Sequence, residues 1–122
     1  QLFLIKKFIN RKFKTKDYSC PTVRDVNKVA LSSRNLLLGS NDIKKSSIIA
    51  NLLLKLKNKL KKNINYKSEI VKIYLKINSI KNINIEYLEI RNKYNLSKNF
   101  SKNNLKIFIA YYNKEVRLID NY

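Results

Sequence analysis

The chain has no histidine, no methionine, one cysteine, one proline and one glycine, and it sets 8 acidic residues against 27 basic ones in 122. Each shortage excludes something. A nucleophilic thiol needs a neighbouring base, and without histidine Cys20 lacks the usual one. Cys20 therefore reads as a small, buried, hydrophobic residue beside Pro21. A single cysteine forms no internal disulfide, which favours a cytoplasmic setting, and the chain has no zinc-finger Cys/His spacing. With no methionine and Gln1 in first place, the sequence reads as a fragment whose upstream part is missing, with processing of a longer precursor as the other route. No apolar run approaches the ~18 residues of a membrane span. The longest, residues 48–54, is interrupted by Asn51. The basic first stretch lacks a small-residue cleavage site, so no signal peptide is expected, and a membrane is not among the expected partners.

What is present fits a globular domain. The chain is 44% hydrophobic, and its length is about one domain's worth. A net charge of +19 suggests a nucleic-acid binder at first sight. The details point elsewhere. The basic residues are 22 Lys and only 5 Arg, spread among abundant Asn and Ile, as a source with A/T-rich codons would produce. The densest run, residues 55–62, falls on the polar face of a predicted helix and reads as a solvated face. No RNP-type motif is present, and the eight tyrosines are scattered rather than set on one stacking strand. Non-specific polyanion binding at low salt is expected and specific nucleic-acid binding is not, though a basic RNA-binding module stays as the alternative reading.

Hydrophobic periodicity predicts a small α+β domain. Leu2, Ile5, Phe8 and Ile9 have helical spacing, and residues 13–20 suggest a charged strand ended by Pro21. Residues 22–41 read mainly as loop. Ser40 or Asn41 is the expected N-cap of a helix running to about Lys62, with Asp42 in its first turn and Ile49, Leu52, Leu53, Leu56 and Leu60 as its apolar stripe. Asn63 and Asn65 break that pattern. A second helix over 68–78 is expected to bury Ile70, Val71, Tyr74 and Leu75. The period then changes to two: Ile83, Ile85 and Tyr87 alternate with Asn84 and Glu86, and Leu105, Ile107 and Ile109 with Lys106 and Phe108. Residues 92–104 read as loop and 116–120 as a third short strand. Helices followed by three strands imply an antiparallel sheet.

The stretch with chemical content is residues 20–35. Ser32, Ser33 and Arg34 place two hydroxyls and a planar cationic fork on a loop just before a helix, a set of donors suited to phosphate oxygens. Such a loop can close over a triphosphate and exclude water. Taken alone the tripeptide is weak, since a capped turn would use the same residues.

The longer pattern resembles the pantothenate synthetase family, which joins pantoate to β-alanine. The family's P-T-V-R-E and D-G-L-A-M-S-S-R-N segments match residues 21–25 and 27–35, its V-D-Y-L-E segment matches residues 85–89, and its closing R-L-I-D-N appears unbroken at residues 117–121. Gln1 and Leu2 look like the end of its K-D-x-Q-Q-L segment, so the resemblance covers nearly the whole chain. The resemblance implies an ATP-dependent ligase in which pantoate attacks the α-phosphate of ATP, releasing pyrophosphate, and the β-alanine amine then displaces AMP. Magnesium would accompany the triphosphate. By position, the resemblance implies that Leu31, Ser32, Ser33 and Arg34 bind ATP phosphates, that Val23 contacts the nucleotide through its backbone, and that Gln1 binds pantoate. It divides the chain into the tail of a Rossmann-like nucleotidyltransferase domain (residues 1–22) and a C-terminal lid domain (residues 23–122). The tail, without its sheet partners, would expose Leu2, Ile5 and Phe8. Arg117 and Asp120 read as structural polar residues at the sheet edge.

Some positions depart from the family. Leu31 replaces Met at similar volume, while Lys28 and Lys114 stand at or near family glycines. If those turns need positive φ, each Lys costs about 1 kcal/mol, which keeps a folded but degenerate ligase in view. The family's H-x-G-H motif and the Lys of its K-D segment have no counterpart here, so the chain alone is predicted inactive, whereas the intact enzyme would be a homodimer.

Overall fold

The computed structural model describes residues 2–16, 18–62 and 65–122. Helix α1 (Leu2–Lys12) is followed by an irregular stretch, a 3-10 turn (Ser33–Leu37), helices α2 (Ser40–Lys61) and α3 (Tyr66–Asn78), and strands β1 (Ile83–Asn92), β2 (Leu105–Asn113) and β3 (Val116–Asn121). The strands form an antiparallel sheet in the order β1-β2-β3. The expected α+β class and the order of two helices followed by three strands stand, with the two longer helices covering one face of the sheet.

The apolar stripe of α2 packs into the core. Ile49, Leu53, Leu56 and Leu60 are buried and Leu52 is half-buried against them. Asp42 enters the first turn of α2 as expected, but the N-cap is Gly39, whose carbonyl accepts from the Asp42 and Ile43 amides. Ser40 and Asn41 thus lie one and two positions too late to cap. Asp42 is instead held by the Lys114 ammonium at 2.7 Å and that of Lys45 at 3.0 Å, which together keep its carboxyl below its ordinary range. Asn65 caps α3 by accepting from the Lys67 amide, while Asn63 lies outside the described residues.

Four expectations are corrected. On α3 the buried residues are Glu69, Ile73 and Ile77, with Ile70 half-buried, whereas Val71, Tyr74 and Leu75 face solvent. The helix carries two apolar stripes, and Glu69 sets its rotation by pairing with Lys59 of α2 at 2.8 Å and with Lys72 at 3.3 Å. On β1, Tyr87 leaves the row begun by Ile83 and Ile85, because a bulge at Glu86 pairs Ile85 with Tyr111 but Tyr87 with Ala110. The extra residue reverses the alternation, and Ile90 and Asn92 become the inward side chains. The described residues of 13–20 form no strand. They are exposed, and Phe13 continues α1 with a bond to the Ile9 carbonyl and a ring contact with Phe8. Cys20 lies on this stretch and is exposed rather than buried. Ile5 and Phe8 are half exposed, while the side chain of Leu2 lies outside those described.

Candidate functional site

Residues 23–31 close on themselves before the 3-10 turn begins. Arg24 and Ala30 form a β-bridge, the Asp25 amide donates to the Val29 carbonyl at 2.9 Å, and the Leu31 amide donates to the Val23 carbonyl at 3.0 Å. The turn is tied by the Lys28 amide to the Asp25 carbonyl and by the Val29 amide to Asp25 Oδ1. Lys28 follows the turn at φ 68, the left-handed position that a three-residue hairpin loop usually gives to glycine. Lys114, in the β2–β3 turn, has φ 55. Both lysines therefore occupy the conformations that the family glycines suggested.

This small hairpin brings Val23 and Leu31 side by side with both side chains exposed. The chain then passes into the 3-10 turn. Ser32 caps it, its Oγ accepting from the Arg34 amide at 3.2 Å, which leaves the hydroxyl hydrogen available to another acceptor. Ser33 and Arg34 are exposed, and one Arg34 Nη donates to the Arg117 carbonyl at 3.0 Å. Val23, Leu31, Ser32, Ser33 and Arg34 thus share one short loop. Gln1, expected at a pantoate site, lies outside the described residues.

The loop is fastened to β3 at its base. Arg24 makes a bidentate pair with Asp120, Nη1 to Oδ2 at 2.7 Å and Nη2 to Oδ1 at 2.9 Å, and lies 4.3 Å from the centre of the Tyr122 ring. Burial works against the Arg24 charge, but the hydrogen bond to Asp120 and the neighbouring Tyr122 outweigh it and hold the guanidinium above its ordinary value. Burial, with the Asp120 charge behind it, also pushes the Tyr122 hydroxyl up. Arg117 pairs with Glu86 at 2.6 Å, so Arg117 and Asp120, read from the sequence as structural polar residues, each make an ion pair.

Between loop and sheet lies a cleft of about 270 Å³, lined on one side by Ala30, Ser32, Arg34 and Asn35 and on the other by Tyr111, Leu118 and Asp120. Tyr111 and Asn35 are residues that sequence reasoning did not assign to the site. Burial pushes the Tyr111 hydroxyl up to about 12. Asn35 Nδ2 donates to the Ala30 carbonyl at 2.9 Å, while its buried Oδ1 has no partner among the described residues. The signal for Asn35 was its place directly after Ser-Ser-Arg. Tyr111 had none, since its alternation marks it only as an inward strand residue. The loop as a whole offers hydroxyl and guanidinium donors, a set complementary to an anion with several oxygens.

The family model for pantoate-beta-alanine ligase matches residues 1–122. Two crystal structures of the pantothenate synthetase of Thermus thermophilus superpose with a TM-score of 0.86 at 22% identity, over 99% of this chain and 45% of theirs. The pantoate-beta-alanine ligase of Francisella tularensis, complexed with beta-gamma ATP and beta-alanine, superposes with a TM-score of 0.70 at 31% identity, over 100% of this chain and 39% of its own. The chain thus spans less than half the length of these solved structures. No curated protein sequence gives a significant match.

Proposed function

As the chain belongs to the pantoate-beta-alanine ligase family, we propose that it forms the lid of an ATP-dependent ligase that makes pantothenate from pantoate and β-alanine. The observation that carries this reading is the hairpin bond from the Leu31 amide to the Val23 carbonyl, which sets Val23 and Leu31 together and presents Ser32, Ser33 and Arg34 beside them on one exposed loop.

In this reading residues 1–22 are the tail of a Rossmann-like domain and residues 23–122 the lid that closes on it. Closure brings the Ser32 and Ser33 hydroxyls and the Arg34 guanidinium to the phosphates of ATP, with Val23 and Leu31 flanking the nucleotide. A carboxylate oxygen of pantoate attacks the α-phosphorus, the bond to the bridging oxygen breaks, and pyrophosphate leaves with its electron pair. The amine of β-alanine then attacks the acyl carbon of pantoyl adenylate, loses a proton, and expels AMP. The lid residues contribute positioning and neutralisation of the charge that collects on the leaving pyrophosphate, with no covalent enzyme intermediate. Arg34 leaves the Arg117 carbonyl to do so, an exchange of a neutral acceptor for a charged one.

The donors of the loop fit phosphate rather than a cation, and among the described residues no group of three or more His, Cys, Asp or Glu could hold a metal. Magnesium would therefore enter with the triphosphate as part of the substrate. Pantoate contact by Gln1, a cytoplasmic setting and a homodimeric intact enzyme belong to the same proposal. The chain contains no histidine to act on the leaving pyrophosphate, so by itself it is expected to be inactive.

The test is pyrophosphate release from ATP, with and without pantoate, by the polypeptide that includes the proposed nucleotide-binding domain. Pantoate-dependent release is expected, and Arg34→Ala should reduce it by about 10²–10³, the loss typical of removing one charge-stabilising donor. Release that is untouched by Arg34→Ala would remove the loop from the mechanism.

A further inference from the structure

Arg24 belongs to the same hairpin, yet its guanidinium faces the sheet rather than the open side of the loop. Its acceptors are Asp120 Oδ2 at 2.7 Å and Oδ1 at 2.9 Å, the carbonyls of Lys28 at 2.9 Å and Asn121 at 3.0 Å, and the hydroxyl of Tyr122 at 3.2 Å. Each Nη carries two hydrogens, so these five acceptors occupy both nitrogens fully and leave them nothing to offer a ligand. Arg34 differs, being exposed and holding a single backbone carbonyl.

The contacts of Arg24 join three things. Asp120 and Asn121 belong to β3, 96 and 97 residues away in the chain. The Lys28 carbonyl belongs to the residue whose backbone is left-handed. Val23, the neighbour of Arg24, accepts the Leu31 amide that leads directly into Ser32. Arg24 therefore ties the segment that leads into the Ser32–Arg34 turn to β3, beside the direct bond from Arg34 to the Arg117 carbonyl. Bidentate pairing, stacking on a ring and a fork that spans several acceptors are the properties of guanidinium that a lysine ammonium lacks.

We propose that Arg24 is a positioning residue for nucleotide binding. It touches no phosphate, and acts through Asp120 to hold Val23, Leu31 and the Ser32–Arg34 turn in the geometry that receives ATP. The proposal rests on reading that loop as the nucleotide loop, and its test separates the two.

The test uses the same pantoate-dependent assay on the intact polypeptide, together with hydrogen exchange of the Val29 and Leu31 amides, for Arg24→Lys, Asp120→Asn and the exchanged pair Arg24→Asp with Asp120→Arg. For Arg24→Lys the KM for ATP should rise about tenfold with kcat within about twofold and the KM for pantoate unchanged, the pattern of lost uniform binding. The two amides should exchange about tenfold faster, as local opening becomes easier. Asp120→Asn should move both readouts the same way, and the exchanged pair should recover part of each. An ATP KM that stays put in folded Arg24→Lys and Asp120→Asn proteins would reduce the ion pair to a stability element and overturn the proposal. Should Arg24→Lys not fold, Asp120→Asn decides by the same criteria. If the unsubstituted polypeptide releases no pyrophosphate, the nucleotide reading fails and amide exchange alone judges the link: faster exchange keeps Arg24 as the residue that fixes the loop, and unchanged exchange removes it.

Discussion

Lys28 and Lys114 show what a single residue in the left-handed region does to this fold. The backbone at Lys28, φ 68, lets the chain leave the turn at residues 25–28 and re-enter pairing at Val29. A side chain there costs about 1 kcal/mol relative to glycine. Lys28→Gly should therefore raise unfolding stability by about 0.5–1 kcal/mol, seen as a higher urea midpoint at constant slope. A lower midpoint would mean that the Lys28 side chain contributes something the hairpin geometry does not show. Lys114, φ 55, is a different case because its ammonium binds Asp42 at 2.7 Å. Strain and ion pair would vanish together in Lys114→Gly, so its gain should be smaller. The resemblance to a family with glycine at these places marked both residues in advance. That Arg24 takes the Lys28 carbonyl, and so ties the strained residue to β3, was not legible, since Arg24 and Asp120 are 96 residues apart.

At the scale of an element, α3 and β1 show how far periodicity reaches. The stripe Ile70, Val71, Tyr74 and Leu75 and the stripe Ile70, Ile73 and Ile77 are both compatible with a helix over these residues. What chooses between them is the surface that α3 meets, β1 on one side and Lys59 of α2 on the other. Ile77 is 0% exposed and Leu75 is 62% exposed. Ile77→Ala should accordingly cost about 2–5 kcal/mol in unfolding free energy, while Leu75→Ala stays within about 0.5 kcal/mol. Equal losses from the two would show that α3 is rotated relative to the packing described above. On β1 the adjacent apolar pair Tyr87 and Leu88 is the trace of the bulge at Glu86, a break in strict alternation that a short strand reading passes over. The bulge also aims Glu86 at Arg117, the residue whose carbonyl holds Arg34.

At the scale of the whole molecule, Asp42, Glu69, Glu86 and Asp120 fasten distant elements in a strongly basic chain. Hydrogen bonds from Lys114 and Lys45 hold Asp42 low, those from Lys59 and Lys72 hold Glu69 low, and that from Arg117 holds Glu86 low. A carboxyl depressed in the folded state contributes stability that is present above its unfolded value, about 4, and is lost as pH falls through the folded one. Thermal midpoints should thus be nearly level from about pH 7 to 5 and fall below about pH 4. Asp42→Asn should lower the plateau and make that fall shallower. A midpoint that rises on acidification would contradict the assignment. The same ion pairs explain a small part of the charge pattern, since Lys59 of the basic run, with Lys45, Lys72 and Lys114 elsewhere, partners the scarce acids. By itself the sequence determined the class, the order and type of the elements from α2 to β3, and the composition of the loop at residues 23–34, because hydrophobic period and side-chain chemistry are local properties. Only the tertiary structure decided which stripe of α3 is buried, where β1 changes parity, that Cys20 is exposed, and that Arg24 looks into the sheet while Arg34 looks out of it. The burial of α3 and the direction of Arg24 depend on surfaces delivered from distant parts of the chain, which local pattern does not carry.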